Sequence, residues 1–83
     1  MADQDELLEH IVDVVEQTLK VDRSRITRES RFTDDLGADS LDRFTLLMEF
    51  EDKFSTSIPE DDAKALTSVG DVLDYVRARL AAR

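Results

Sequence analysis

The chain has 83 residues, 41% of them hydrophobic, and no cysteine, which suits one small domain burying about 60 to 65% of its unfolded surface and leaves no disulfide framework, thiolate metal site or cysteine nucleophile. Twenty acidic residues against eleven basic ones give a net charge of −9, and a surface of that sign repels a nucleic-acid backbone. No segment approaches the roughly 18 continuous apolar residues of a membrane span, and the acidic start Met1-Ala2-Asp3-Gln4-Asp5-Glu6 is opposite in charge to a secretory leader, so a cytoplasmic chain without membrane insertion is expected.

Leu8, Ile11, Val12, Val15 and Leu19 recur at spacings of three and four, which predicts an amphipathic helix over about residues 3–19. The only histidine, His10, falls on this helix outside any catalytic motif and reads as a solvated or partly packed surface residue. A serine hydrolase built on it is not expected. Lys20 to Phe32 mixes charge, Ser, Thr and isolated apolar residues without a period. A long loop follows, anchored to the rest by Val21, Ile26 and Phe32.

The turn Asp35-Leu36-Gly37-Ala38-Asp39-Ser40-Leu41-Asp42 leads into a second helix predicted over Ser40 to Phe54. Asp39 is its N-cap candidate, and Asp42, three residues on, can reach back to the cap amide. Ser40 then lies on the first exposed turn, where unpaired amides and the helix dipole favour a phosphodiester on its hydroxyl, so it reads as an attachment point. Leu41, Phe44, Leu46, Leu47, Met48, Phe50 and Phe54 are too many for one stripe. At about 100° per residue, Leu46, Leu47, Phe50 and Phe54 share an arc that is expected to pack. Leu41, Phe44 and Met48 share a neighbouring arc flanked by Arg43, Thr45 and Asp52, the pattern of a charge-rimmed docking patch. The residues alone leave open the alternative that all seven are core. Residues 34–62 hold ten acids against Arg43 and Lys53, a concentration that steers basic partners toward Ser40.

After Ser55-Thr56-Ser57 breaks the pattern, Pro59 suits the first position of a short helix with Glu60, Asp61 and Asp62 in its first turn and Ala63 and Leu66 facing inward. Thr67-Ser68 offers another N-cap with Asp71 three residues beyond Ser68, and Val69, Val72, Leu73, Val76 and Leu80 give a last amphipathic helix. Arg77, Arg79 and Arg83 near its C-terminal end complement the helix dipole. No alternating strand pattern, internal repeat or phosphate-cradling glycine loop competes. The acids match no D-x-[DN]-x-[DN]-G loop, so no dedicated metal site is expected. The fold class is all-α: a small bundle of three longer helices and one short one, with a long loop between the first and second, as a single domain over residues 1–83.

DLGADSL followed by an acidic, Leu/Met/Phe-bearing helix resembles the prosthetic-group site of the acyl carrier protein family. The resemblance runs from Phe32 through Asp39-Ser40-Leu41-Asp42, the stretch to Phe54, Ile58-Pro59 and the acidic short segment to Val72-Leu73-Asp74-Tyr75-Val76. It implies a 4′-phosphopantetheine arm from coenzyme A on Ser40, within a motif that includes Asp39 and Leu41, whose thiol holds acyl chains as thioesters. It also implies a carrier that catalyses nothing itself, a phosphopantetheinyl transferase (holo-carrier synthase) that supplies the metal and base, and acyltransferases and ketosynthases as clients of a monomer. Docking would fall to Asp42, Arg43, Phe44, Met48, Glu49, Glu51 and Asp52. An acyl chain would fold into apolar space lined by Leu46, Leu47, Phe50, Phe54, Ala63, Leu66 and Leu73, and because an empty cavity destabilises a small core, acylation is expected to raise the melting temperature.

Arg43, Phe44, Thr45 and Lys53 depart from the common fatty-acid pattern and make the docking face less acidic. They leave open a specialised polyketide or lipid A carrier beside the default fatty-acid role. A third alternative is an unmodified helical interaction module using only the Leu41, Phe44, Met48 patch.

Overall fold

The computed structural model describes residues 2–81, with side chains from Glu6 onward; Met1 of the acidic start and Arg83 of the C-terminal arginines lie outside the described residues. Four α-helices follow in order: α1 (Ala2–Leu19), α2 (Ser40–Phe54), α3 (Glu60–Lys64) and α4 (Val69–Ala81), with a single 3-10 turn at Arg23–Arg25 in the long connection. No strand occurs among the described residues, and the only ladder-like contact is an isolated bridge between Arg31 and Ser68.

α1 packs against both α2 and α4. Its Ile11 and Val15 are fully buried, joined by Val12 and by Val14, which the periodicity did not single out. Leu8 and Leu19 pack at the margin. The helix stops at Lys20, whose φ of 58° is left-handed and whose amide donates back to the Glu16 carbonyl at 2.9 Å. Phe50, Leu46, Leu73, Val69, Val72 and Val76 complete the interior, and the Phe32 ring meets the Phe50 ring at 6.5 Å between centroids.

The long connection is tied down at both ends. Arg23 reaches back to α1, donating to Asp13 at 2.7 Å and Glu16 at 3.1 Å and pairing with Glu9; the Asp13 and Glu9 carboxylates hold its guanidinium further above its ordinary range. Ile26 and Phe32 are buried and Val21 is half-buried. Ser30, buried, donates through its hydroxyl to the Arg25 carbonyl at 3.2 Å and accepts the Thr27 amide at 2.9 Å. The backbone then pairs with the start of α4: the Phe32 amide donates to Thr67 at 3.1 Å, Val69 to Ser30 at 3.0 Å and Gly70 to Arg28 at 2.8 Å. Loop carbonyls thereby satisfy first-turn amides that a helix leaves without partners. Gly70 is required for this approach, since a Cβ there would stand 3.0 Å from the Arg28 carbonyl oxygen.

α4 begins with reciprocal capping. Asp71 accepts the Ser68 amide at 3.2 Å and the Thr67 amide and hydroxyl at 3.1 and 3.0 Å, while the Ser68 hydroxyl accepts the Asp71 amide at 3.2 Å. Desolvation opposes the charge on Asp71, yet the bonds from Thr67 and Ser68 hold its carboxyl below the ordinary carboxylate range. Pro59 is corrected by one position: it is the N-cap of α3 rather than its first helical residue, because its ψ of 153° is extended and only its carbonyl joins the helix, accepting the Ala63 amide at 2.9 Å. Arg79 does more than complement a dipole. It donates to the Tyr75 hydroxyl at 2.6 Å and to Asp62 at 3.4 Å, lies 5.0 Å from the Tyr75 ring centroid, and the Tyr75 hydroxyl donates to Asp62 at 2.7 Å. This trio clamps α3 to α4.

Candidate functional site

The residues before Ser40 form a built turn. The Asp35 side chain accepts the Arg31 amide at 2.8 Å, the Leu36 amide donates to Arg31 at 3.0 Å, and the Ala38 amide donates to Phe32 at 2.8 Å. Leu36 and Ala38 are buried, so the segment is nailed to the core on either side of Gly37. That glycine has φ +74° with open space where a Cβ would stand: the left-handed backbone, not crowding, is what selects glycine there. Leu36 and Ala38 as anchors were not foreseen, although an apolar residue on each side of a lone glycine in an acidic turn was the available signal.

Asp39 then caps α2. Its side chain accepts the Asp42 amide at 2.8 Å, and Asp42 accepts the Asp39 amide at 3.3 Å, a complete capping box. Ser40 is the first residue of α2 and is exposed, at the end where the helix dipole is positive. Both flanking carboxylates are engaged with backbone amides.

The two arcs of α2 part as their spacing suggested. Leu46, Phe50 and Phe54 are buried and Leu47 is half-buried, while Leu41, Phe44 and Met48 are 71%, 60% and 53% exposed. Glu49 and Asp52 flank this apolar face and are exposed. Glu51 is half-buried and accepts the Ile58 amide at 2.7 Å, which ties the end of α2 to the next segment. Arg43 is likewise half-buried, and its guanidinium donates to the Leu66 carbonyl at 3.3 Å. Neither partnership has a local sequence signal, because each acceptor or donor is a backbone group of a distant segment.

The apolar space beneath α2 is nearly closed. A cleft of about 10 Å³ is lined by Phe32, Arg43, Leu46, Leu47, Phe50 and Leu66, room for about one water. The apolar space expected to receive an acyl chain is filled here by packed side chains, Phe32 from the long connection among them. Of the other residues expected to line it, Leu73 is fully buried in the core, Ala63 packs at its margin, and Phe54 faces a groove of about 760 Å³ with His10 and Leu80. His10 is exposed, with its ring edge-on to Phe54 at 6.4 Å. On the solvent side of Arg43 a polar pocket of about 210 Å³ is lined by Arg31, Thr33, Asp34, Arg43 and Thr67. Among the described residues no cluster of three or more His, Asp or Glu is arranged to hold a metal ion, and no helix is long and apolar enough to cross a membrane.

Residues 9–76 match the family model described as the phosphopantetheine attachment site. The chain is 45% identical over 75 residues to an acyl carrier protein of Porphyromonas gingivalis, covering 90% of this chain and 96% of that one. It is 36% identical over 80 residues to one of Thermotoga maritima, covering 96% and 99%. Among solved structures it is similar to a Mycobacterium tuberculosis chain assigned as an acyl carrier protein, with a TM-score of 0.82 and 38% identity over 88% of this chain and 97% of that one.

Proposed function

Since the chain belongs to the acyl carrier protein family, with 4′-phosphopantetheine as its prosthetic group, we propose that Ser40 is the hydroxyl that takes the arm. The observation that carries this reading is the exposed Ser40 at a fully capped helix start, held by buried Leu36 and Ala38 on either side of left-handed Gly37. These residues fit the group. A phosphodiester at Ser40 sits beside first-turn amides and a positive helix end, and a chain without cysteine acquires a thiol only from outside. Once attached, the group supplies the thiol on which acyl chains travel as thioesters.

The chain's own part is presentation. Asp39 and Asp42 hold each other's amides, which fixes the first turn of α2. The family resemblance assigns to the transferase the base and the metal that activate the hydroxyl toward coenzyme A. Leu41, Phe44 and Met48 form the docking face for acyl-processing enzymes such as acyltransferases and ketosynthases. Exposed Glu49 and Asp52, with Asp42 and Glu51 beside them, set encounter rate and partner choice more than affinity, since exposed ion pairs contribute little each. Arg43, Phe44, Thr45 and Lys53 make this face less acidic than that of a general fatty-acid carrier, so a specialised lipid or polyketide client set is the alternative to the default fatty-acid one. The chain acts as a monomeric single domain.

Incubation with coenzyme A, magnesium and a phosphopantetheinyl transferase, read by intact mass, tests the attachment. The wild type gains one arm and Ser40→Ala gains none; an arm on Ser40→Ala, or none on the wild type, overturns the assignment. The second result would favour the unmodified interaction module, for which the exposed Leu41, Phe44, Met48 patch is the supporting observation.

A further inference from the structure

Arg43 occupies an unusual position between two spaces. Among the described residues lining the closed apolar cleft it alone is polar, and it also lines the solvent-open pocket of about 210 Å³ beside Thr67. Arg43 is the residue common to the two linings, and its guanidinium is held by a 3.3 Å bond to the Leu66 carbonyl, which joins α2 to the segment between α3 and α4. Ser40 precedes Arg43 by three residues in α2, so the two lie on one face, a turn apart.

Resting on the carrier reading above, we infer that Arg43 is a latch that determines which acyl chains this carrier shelters. A chain tethered at Ser40 reaches the space between Leu46, Phe50 and Leu66 by displacing the guanidinium from the Leu66 carbonyl and parting α2 from residue 66. An acetyl group has almost no apolar length to bury and stays outside with or without the latch. An octanoyl chain gains with every methylene removed from water, and its gain competes with a charge-assisted hydrogen bond and with the tight packing around Phe32. The latch raises the chain length at which sheltering wins.

The test uses the full chain carrying the arm, loaded with acetyl or octanoyl and checked by intact mass, as wild type and as Arg43→Met, which keeps an unbranched apolar stem and donates nothing. The readouts are the rate of thioester cleavage by neutral hydroxylamine and the melting temperature of each acyl form against the unloaded arm-bearing form. Arg43→Met is expected to slow octanoyl cleavage roughly three- to tenfold, the net worth of one half-exposed hydrogen bond, to leave acetyl cleavage unchanged, and to widen the gap between octanoyl and unloaded melting temperatures. Equal octanoyl rates in the two proteins overturn the latch and leave the carrier reading standing. Should Arg43→Met not fold, Arg43→Leu, which likewise donates nothing, takes its place with the same expected and overturning results. A wild type that takes up no arm overturns the carrier reading and the latch with it.

Discussion

Asp71 shows how much one carboxylate does at the start of α4. It accepts from the Thr67 and Ser68 amides and from the Thr67 hydroxyl, and these bonds outweigh desolvation to hold its carboxyl below the ordinary range. A carboxylate whose folded pKa is depressed adds stability above its unfolded value, near 3.9, and loses it as pH falls through the folded value. Asp71→Asn should therefore be less stable than the wild type by about 1 kcal/mol at neutral pH, measured by urea denaturation, with the difference shrinking below pH ~4. A difference that stays constant down to pH ~2 would assign the effect to shape rather than charge. The capping pattern that exposes Asp71 was legible in the spacing of Ser68 and Asp71, as it was for Asp39 and Asp42. Arg43 was not: its residue type announces charge and a docking role, whereas its guanidinium bonds a carbonyl 23 positions away.

At the scale of elements, α3 is only five residues long, too short to be stable by itself in water, so its position depends on contacts made to it. Asp62 is the handle that α4 grips through Tyr75 and Arg79. Burial, and then the bond to Asp62, push the Tyr75 hydroxyl above its ordinary range. Tyr75→Phe keeps the ring under Arg79 and removes the central hydroxyl, and is expected to lower the melting temperature by roughly 4 to 8 °C, the effect of about 1 kcal/mol in a domain this size. An unchanged melting temperature in a thermal scan by circular dichroism would show that the trio only decorates the surface. The bounds of α2 were readable because its start carries a capping box and its end a polar break at Ser55-Thr56-Ser57. The pairing of residues 28–32 with residues 67–70 was not readable. Its donors and acceptors are backbone groups, identical in every residue type, and nothing local distinguishes a loop that finds such partners from one that does not.

For the molecule as a whole, the net charge of −9 and the ten acids among residues 34–62 set a self-repulsion that the Arg23, Arg77 and Arg79 pairs only locally relieve. Raising the salt from about 10 mM to about 300 mM shortens the Debye length from roughly 30 Å to below 8 Å, and with it the reach of that repulsion across a body 33 Å long. The melting temperature should rise by several degrees over this range, since screening removes more repulsion than attraction in a chain of this sign; a flat or falling value would mean that the surface pairs dominate. The backbone pairing of residues 28–32 with residues 67–70 also sets an order of events during synthesis. A nascent chain that has not yet released residue 70 from the ribosome has no partner for Arg28, Ser30 and Phe32. Phe32 in turn accepts the Ala38 amide two residues before Ser40, so the turn before Ser40 gains its link to α4 only once the start of α4 has been made.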